Sequence, residues 1–383
     1  MTAFGVFSTQ GTAPRVGMAS ADDILDLTSV AIDVPEGTFS APSLNPFIAM
    51  GRPVWMAVQE QIAELATEGR GVLVPQADAT MHLPIEVGDY VDFYSSIHHA
   101  TNVGGLFRPD GEPLLPNWRH LPVAYHGRSG TVVVSGTPIQ RPSGQRRGRG
   151  GPQFGPSTAL DFELEVGFIT GNANRLGEAV PVEAAEDHIF GMCLVNDWSA
   201  RDLQAWEYQP LGPFLGKSFA TTISPWIVPL GALANHRVDP PDQEPEVLPY
   251  LRTTGPTAVD LQLEVEIIPS GASSGTVVTA TSFADMYWTM AQQLAHATVN
   301  GATARAGDLF ASGTVSGPEP GTLGCLLEIT KGGTEPITLN DGSVRTYLED
   351  GDTVVIRSAA GDISFGECAG QVVASRKVER RES

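Results

Sequence analysis

Short runs in which apolar and polar residues alternate dominate this chain of 383 residues. In the first 45 residues, three such runs (FGVFS, RVGMAS and DILDLT) predict strands, which we interpret as a small β-module. From residue 90 onward, strands are predicted at GTVVVSG, LDFELEVGFITG, SPWIVPL, VDLQLEVEIIP, GCLLEIT, DTVVIRS and ECAGQVVAS. The pattern therefore predicts a mostly β protein of the α+β class, with a sandwich or rolled sheet in its larger part.

Helical spacing of apolar residues is confined to a few segments. One amphipathic helix is predicted over residues 47–68 and ended by Gly69, with one apolar face formed by Val54, Val58, Ile62 and Leu65. Two more helices are predicted, around residues 183–190 and 283–298. These helices are too few to change the β-rich assignment.

The change in pattern after the first helix predicts a domain boundary near residues 80–90. We therefore expect an N-terminal domain over residues 1–85, which includes the amphipathic helix, and a larger domain over residues 86–383.

The charge of the chain limits the partners that it can bind. With 44 acidic and 23 basic residues, the formal charge is −21, so nucleic acids and anionic membranes would be repelled. We interpret the Arg-rich run at 145–152 (QRRGRGGP) as a flexible loop rather than an RNA-binding segment. No apolar run approaches the roughly 20 residues that cross a bilayer, and the N-terminus lacks a signal-peptide pattern. We expect a soluble, cytoplasmic protein.

The three cysteines, Cys193, Cys325 and Cys368, are far apart, and each lies among Gly and apolar residues. No disulfide framework or zinc site follows from this spacing. We expect buried free thiols that pack as small hydrophobic side chains.

The run TALDFELEVGFITG gives the strongest local signal for a metal site. Glu163 and Glu165 are two residues apart, so a strand would direct both carboxylates to one face, about 6–7 Å apart. Two such charges repel each other unless a cation or a base lies between them. A hard divalent cation, Mg²⁺ or Ca²⁺, is the natural partner of oxygen ligands. The alternative is an exposed polar strand face.

A second run, LVNDWSARDLQAWEYQPLGPFLGKSFATT, indicates a cluster of donors. Asp197 follows an apolar run, and Arg201, Gln204 and Tyr208 recur at spacings that place them on one face of a helix. Lys217, one of only three lysines, either extends its ammonium to the surface or points into a site. Arg, Gln and Lys together could stabilise a developing oxyanion. The alternative is a capped helix with ordinary surface polar groups.

Two isolated acids and a pair of histidines indicate proton transfer. Asp92 precedes His99 by seven residues, and His98 and His99 cannot both face the same way in a strand, so at most one is functional. Glu328 is a single acid in the apolar run CLLEI, where it needs a partner. A histidine is a good candidate, because a carboxylate can orient and stabilise a histidine base. The alternative for each histidine is a purely structural role.

Several long segments resemble a known family. They are DFYSSIHHATNVG, LLPNWRHLPVAYHGRSGTVVVSGTPIQRPSGQ, HIFGMCLVNDWSARDLQAWEYQPLGPFLGKSFATTISPW, MYWTMAQQLAHATVNG, GDLFASGTVSGPEPGTLGCLLEI and FGECAGQVV. Over nearly the whole chain, the sequence resembles the fumarylacetoacetate hydrolase family. The resemblance implies a small N-terminal SH3-like β-barrel, a large mixed β-sandwich roll and a homodimer.

The resemblance also implies roles for individual residues. It implies one divalent cation held by Asp92, Glu163, Glu165 and Asp197. It implies a catalytic pair formed by His99 and Glu328. It implies catalytic oxyanion donors at Arg201, Gln204 and Lys217. It implies further substrate contacts from Arg108, Tyr125, Tyr208 and Thr314.

The reaction that the resemblance implies is hydrolysis of the carbon–carbon bond of 4-fumarylacetoacetate, the last step of tyrosine and phenylalanine catabolism. The products are fumarate and acetoacetate. We expect Mg²⁺ or Ca²⁺ to chelate the diketone, with Mg²⁺ favoured in the cell, while His99 and Glu328 activate water. Two alternatives stay open. One is a related acylpyruvate hydrolase, decarboxylase or hydratase on a smaller oxo-acid, and the other is a non-catalytic metal-binding β-protein.

Overall fold

The strands and helices are taken from a computed structural model, which describes residues 3–376. The strands are β1 (Phe4–Ser8), β2 (Arg15–Ser20), β3 (Asp23–Asp26), β4 (Val72–Pro75), β5 (Thr80–His82), β6 (Tyr90–Phe93), β7 (Ala124–His126), β8 (Val132–Val134), β9 (Ile139–Gln140), β10 (Ser143–Gly148), β11 (Gly151–Pro156), β12 (Leu160–Asp161), β13 (Leu164–Thr170), β14 (Ile189–Asn196), β15 (Ser199–Ala200), β16 (Thr221–Ile223), β17 (Trp226–Pro229), β18 (Arg237–Val238), β19 (Ala258–Val259), β20 (Gln262–Ile268), β21 (Thr276–Ser282), β22 (Leu309–Ala311), β23 (Ile337–Thr338), β24 (Val344–Arg345), β25 (Thr353–Ala360) and β26 (Ile363–Val373). The α-helices are α1 (Asn45–Ile48), α2 (Arg52–Thr67), α3 (Ile97–Phe107), α4 (Arg201–Glu207), α5 (Met290–Thr298) and α6 (Leu326–Ile329). The predicted mostly β, α+β class is confirmed.

Two sheets contain most of these strands. The larger sheet has the order β4-β3-β2-β1-β17-β14-β13-β22-β6-β7, and the smaller has the order β21-β20-β25-β26-β9. One hydrophobic core contains side chains from both sheets, among them Phe168 and Leu194 from the larger and Val265 and Ile356 from the smaller. Two sheets that share a core agree with the predicted mixed β-sandwich roll.

The first strands of the chain join the larger sheet. β1 pairs with β2 and β5 within the N-terminal segment, and it also pairs with β17 from the larger predicted domain. A second hydrophobic core likewise contains Phe4 and Trp55 together with Phe190. The barrel shape of this segment and the division at residue 85 stay predictions.

Two predicted helices begin later than expected. Within residues 47–68, Gly51 adopts a φ of +84°, a left-handed conformation that separates α1 from α2. Between 283 and 298, the chain first forms a 3₁₀ turn, and α5 begins only after Thr289. The Thr289 side chain and Gln292 form a reciprocal capping box that fixes this start. The segment predicted around 183–190 is a 3₁₀ helix, Val182–His188.

Two other local predictions were wrong. The Arg-rich segment 145–152 is not a loop but part of the β10–β11 hairpin, whose turn uses the positive φ angles of Gly150 and Gly151. The run CLLEI is the helical turn α6 rather than a strand. Short apolar runs do not distinguish a strand from a buried helical turn, since either can bury most of its side chains.

Among residues 3–376, no helix has both the length and the apolar composition of a transmembrane segment.

Candidate active site

The four predicted metal ligands meet at one end of the larger sheet. Asp92 lies on β6 and Glu165 on β13, two strands that are separated only by β22. Glu163 and Asp197 lie just beyond the point where the first residue of β13 pairs with the last residue of β14. All four side chains are buried, and one oxygen of each lies within 4.8 Å of the others. Strand register therefore brings together acids that are far apart in the chain.

The chemistry of this carboxylate cluster fits a divalent cation. Asp92 Oδ1 and Glu165 Oε1 are buried and have no hydrogen-bond partner among the described residues. Burial and the charge of Asp197 raise the pKa of Asp92, and burial with the charges of Asp92 and Glu163 raises the pKa of Glu165. A cation would satisfy these oxygens and offset the repulsion. The alternative of an exposed strand face is excluded, because Glu163 and Glu165 are buried.

Lys217 is buried against two members of the cluster. Its Nζ lies 2.5 Å from Glu163 Oε2 and 2.6 Å from Asp197 Oδ2, so the alternative of a surface lysine is wrong. Burial alone would lower the pKa of Lys217, but the charges of Asp197 and Glu163 raise it. Burial alone would raise the pKa of Glu163, but the charges of Lys217, Arg201 and His99 lower it. The ammonium therefore stays charged and balances part of the acidic cluster.

Arg201 begins α4, the helix that the spacing of polar residues predicted. Its Nε donates to Asp161 Oδ2 at 2.8 Å, and its Nη1 donates to Glu163 Oε1 at 2.7 Å and to Gln204 Oε1 at 3.2 Å. The remaining nitrogen, Nη2, is buried and has no partner among the described residues. Nε and Nη1 are therefore held by hydrogen bonds, and Nη2 is free to bind another group.

His99 and Glu328 form a buried pair. His99 Nδ1 lies 2.6 Å from Glu328 Oε2, and the two side chains are 5% and 0% exposed. His99 is on α3 and Glu328 on α6, so the strand settings predicted for both were wrong. On this helix the two adjacent histidines differ in exposure, since His98 is half-buried and His99 is buried.

Two of the predicted substrate contacts are near the carboxylate cluster. Tyr125 on β7 donates from its hydroxyl to Asp197 Oδ2 at 2.7 Å. The hydroxyl of Thr314 is buried without a partner among the described residues, next to Gly313, whose backbone N–H donates to Glu165 Oε2. A cavity of about 200 Å³ is lined by Tyr125, Lys217 and eight other residues. The cavity therefore adjoins two side chains, Tyr125 and Lys217, that each donate to Asp197.

The other two predicted substrate contacts lie further out. Arg108 donates from Nε to the Glu112 carbonyl at 3.2 Å and from Nη2 to the Pro113 carbonyl. The Tyr208 ring packs against Phe107, with 6.1 Å between ring centroids. Neither side chain makes a hydrogen bond to the carboxylate cluster within the described part of the chain.

Sequence reasoning missed several polar residues that hold the predicted ones. Asp161 accepts from Arg201, and Thr221 donates to Asp197 Oδ1 at 3.2 Å. Two further donors reach Glu328, namely Asn102 and Ser316. Asp161 had a signal, because it alternates with apolar residues in the same run as Glu163. The other contacts join segments that no local pattern connects.

The fold and this site define a β-rich protein with a buried cluster of four carboxylates beside a histidine–carboxylate pair. The family described as "Fumarylacetoacetate (FAA) hydrolase C-terminal" matches residues 90–373, and "Fumarylacetoacetase N-terminal" matches residues 3–84. The chain therefore belongs to the fumarylacetoacetate hydrolase family.

Curated relatives match along almost the whole chain. The chain is 48% identical to the fumarylacetoacetase of Bos taurus and 48% identical to that of Homo sapiens, each over 97% of this chain and 94% of the relative. The fumarylacetoacetase of Arabidopsis thaliana is 45% identical over the same shares.

Solved structures share the fold at lower sequence identity. A fumarylacetoacetate hydrolase from psychrophilic Exiguobacterium antarcticum has a TM-score of 0.60 and 20% identity, covering 98% of this chain and 100% of its own. A 5-carboxymethyl-2-hydroxymuconate delta-isomerase from Mycobacterium smegmatis has a TM-score of 0.55 and 18% identity, covering 98% and 100%. At these identities the likeness establishes the fold alone.

Proposed function

We propose that the protein hydrolyses the carbon–carbon bond of 4-fumarylacetoacetate to give fumarate and acetoacetate, as a hydrolase acting on carbon–carbon bonds in ketonic substances. The observation that supports this most strongly is the buried His99–Glu328 pair beside four clustered carboxylates, in a chain whose relatives at 48% identity are fumarylacetoacetases. A base, a cation site and oxyanion donors within one site are the groups that such a hydrolysis needs.

Asp92, Glu163, Glu165 and Asp197 would hold one Mg²⁺ or Ca²⁺ ion, with Mg²⁺ favoured in the cell. Both ions take carboxylate oxygens, and two unpartnered oxygens in the cluster are ready acceptors. When bound, the ion would supply Lewis-acid polarisation of the two oxygens of the substrate diketone. Tyr125 and Thr221 hold Asp197 in place through its two oxygens.

His99 is the base of the proposed reaction. Its Nδ1–H donates to Glu328, which leaves Nε2 to accept a proton from water. The hydroxide so formed adds to the carbonyl carbon on the fumaryl side. The carbonyl oxygen then becomes an alkoxide, and His99 holds the proton as an imidazolium that Glu328 stabilises.

Three donors remain for the alkoxide. Arg201 Nη2 has no partner, and Lys217 uses two of its three N–H bonds on carboxylates. The Gln204 side chain accepts from Arg201 through Oε1, so its amide N–H₂ is the part left to donate. Collapse of the alkoxide breaks the carbon–carbon bond, and the electron pair goes to acetoacetate, whose carbon takes a proton from His99 or water.

Arg108, Tyr125, Tyr208 and Thr314 are proposed substrate contacts. The substrate has a carboxylate at each end, and Arg108 would leave its carbonyl partners to bind one of them. We also propose a cytoplasmic homodimer, on the basis of the family resemblance. The three free cysteines agree with a reducing compartment.

The proposed reaction is tested with purified protein and MgCl₂. We expect the ultraviolet absorbance of fumarylacetoacetate to fall, and chromatography to show fumarate and acetoacetate in equal amounts. Acylpyruvates and smaller oxo-acids are assayed in parallel. Turnover of one of these, with fumarylacetoacetate unchanged, would reject the proposal in favour of a related activity.

A further inference from the structure

We propose that Asp161 is a positioning residue that fixes the oxyanion donor Arg201 and the turn bearing Glu328 to one carboxylate, so that donor and base keep their relative positions. This inference rests on the proposed function, since Arg201 and Glu328 act there in a single reaction.

Asp161 is completely buried, and both of its oxygens are occupied by donors from two different segments. Oδ2 accepts from Arg201 Nε at 2.8 Å and from the Leu327 backbone N–H at 2.9 Å. Oδ1 accepts from the Leu326 backbone N–H at 2.7 Å. One carboxylate therefore joins α4 to α6, which are far apart in the chain.

On the donor side, Asp161 determines which nitrogen of Arg201 stays free. The planar guanidinium is held at Nε by Asp161 and at Nη1 by Glu163. Two fixed nitrogens determine the direction of the third, because the group is rigid. Nη2 then points in one direction without a partner. Without Asp161, the guanidinium could rotate about the remaining contact.

On the base side, Asp161 takes the place of a local helix cap. The residue before α6, Cys325, makes no side-chain cap, and the first two N–H groups of the turn donate to Asp161 instead. Unpaired N–H groups at a buried helix start would be costly, so Asp161 stabilises this turn. Glu328 lies on the same turn and holds His99.

The Asp161 carboxylate thus couples the position of the oxyanion donor Arg201 to the position of Glu328, which orients the base. A displacement of about 1 Å in a catalytic group can cost about 10²-fold in rate. Asp161→Asn is the informative change, because the amide keeps the shape but replaces one acceptor with an N–H₂ donor. In either orientation that N–H₂ faces an N–H donor, so at least one contact is lost.

The matched control is Asp352→Asn. Asp352 is also completely buried and accepts from Arg345 Nε and Nη2 and from the Glu349 backbone N–H, each at 2.8 Å. It makes no hydrogen bond to a proposed site residue within the described part of the chain. A general effect of losing a buried Asp–Arg contact would appear in both variants, whereas a positioning effect appears only at Asp161.

With fumarylacetoacetate and Mg²⁺, Asp161→Asn should lower kcat about 10²-fold while KM and calorimetric Mg²⁺ affinity stay within about threefold of wild type. Asp352→Asn should keep the wild-type kcat. The loss from Asp161→Asn should also shrink when Arg201→Ala or Glu328→Gln is already present. A kcat near that of wild type, a loss equal to that of Asp352→Asn, or an undiminished loss in both backgrounds would overturn the inference.

A crystal structure of Asp161→Asn separates this inference from the proposed function. We expect the Arg201 guanidinium or the Leu326–Ile329 turn to move away from position 161. Unmoved Arg201 and α6 would overturn the positioning role, whatever the substrate. Failure of the wild-type protein to consume fumarylacetoacetate would instead overturn the proposed function.

Discussion

His99 Nδ1 lies 2.6 Å from Glu328 Oε2, although 229 positions separate the two residues in the chain. Because an ionised carboxylate only accepts hydrogen bonds, Nδ1 carries the proton and Nε2 keeps its lone pair. Asn102 and Ser316 also donate to the same carboxylate, at 2.9 and 2.8 Å. Glu328 is therefore held from several sides and in turn fixes the ring and the tautomer of His99.

Replacing His99 should remove catalysis and leave metal binding unchanged. A positioned general base contributes about 10²–10⁴-fold, so His99→Ala should lower kcat by at least about 10²-fold. The control is His98→Ala, because His98 is adjacent and makes no hydrogen bond to a described site residue. Steady-state kinetics and calorimetric Mg²⁺ titration measure the two effects. Wild-type turnover by His99→Ala would contradict the assignment.

Replacing Lys217 should lower kcat strongly and leave the protein folded. Loss of one oxyanion donor typically costs about 10²–10³-fold in kcat, and we expect Lys217→Ala to fall in that range. The control is Lys331→Ala, since Lys331 is exposed and, among residues 3–376, its ammonium pairs with Glu335 alone. Circular dichroism should show folded protein in both cases. Equal kcat values for the two variants would remove Lys217 from the mechanism.

The pKa of Glu328 gives a prediction for acid stability. Burial alone would raise the pKa of Glu328, but the charge of His99 and hydrogen bonds from His99, Asn102 and Ser316 lower it. A carboxyl with a lowered folded-state pKa stabilises the fold above its unfolded pKa of about 4.3, and this contribution is lost as pH falls through the folded pKa. The folded state binds fewer protons than the unfolded state in that interval.

The test compares wild type with Glu328→Gln by urea unfolding between about pH 7 and pH 3. The difference in free energy of unfolding should be largest near neutrality and should shrink below about pH 4. A difference that grows as the solution becomes more acidic would mean that the sign of the pKa shift is wrong.

The sequence predicted most strands, because alternation is a local feature, and the family resemblance supplied the candidate site residues. It placed Glu163 and Glu165 in one strand, whereas the structure has a break between β12 and β13 at this point. The strand settings of His99 and Glu328 were wrong, since short apolar runs fit a buried helical turn equally well. The structure nevertheless brings the His99 and Glu328 side chains together, with 2.6 Å between Nδ1 and Oε2.

The contacts that Asp161 makes with distant segments could not be predicted from the sequence. Asp161 accepts hydrogen bonds from the Leu326 and Leu327 backbone N–H groups, and these bonds form because α6 lies next to β12 in the fold. The β10–β11 hairpin was missed because its Arg- and Gly-rich composition is typical of loops, whereas a six-residue antiparallel pairing stabilises it. Tertiary packing and pairing decided both cases.

Gly313 should not tolerate a side chain. Its φ is +77°, and an added Cβ would lie 2.2 Å from the Phe93 carbonyl oxygen. Gly313→Ala should therefore destabilise the fold by more than about 1 kcal/mol and disturb the N–H that reaches Glu165. Gly105→Ala, in α3 with open space at the Cβ position, should instead stabilise by about 0.5–1 kcal/mol. Thermal unfolding measures both, and similar stabilities for the two variants would refute this.

The three cysteines should be inert in the folded protein. Burial raises the pKa of Cys193 to about 12 and also raises the pKa of Cys325 and of Cys368. Because the thiolate is the reactive form, a thiol reagent at about pH 8 should label none of them in native protein and all three in denaturant. Rapid labelling of a native thiol would show that its surroundings are open.

The central claim is that the carboxylate cluster and the His99–Glu328 pair act together on fumarylacetoacetate. Its most direct test is the rate of fumarylacetoacetate hydrolysis before chelation, after exhaustive chelation, and after Mg²⁺ or Ca²⁺ is added back. We predict that activity disappears on chelation and returns with the added ion, and that His99→Ala stays inactive with the ion bound. Full activity in chelated protein, or in metal-loaded His99→Ala, would contradict the account.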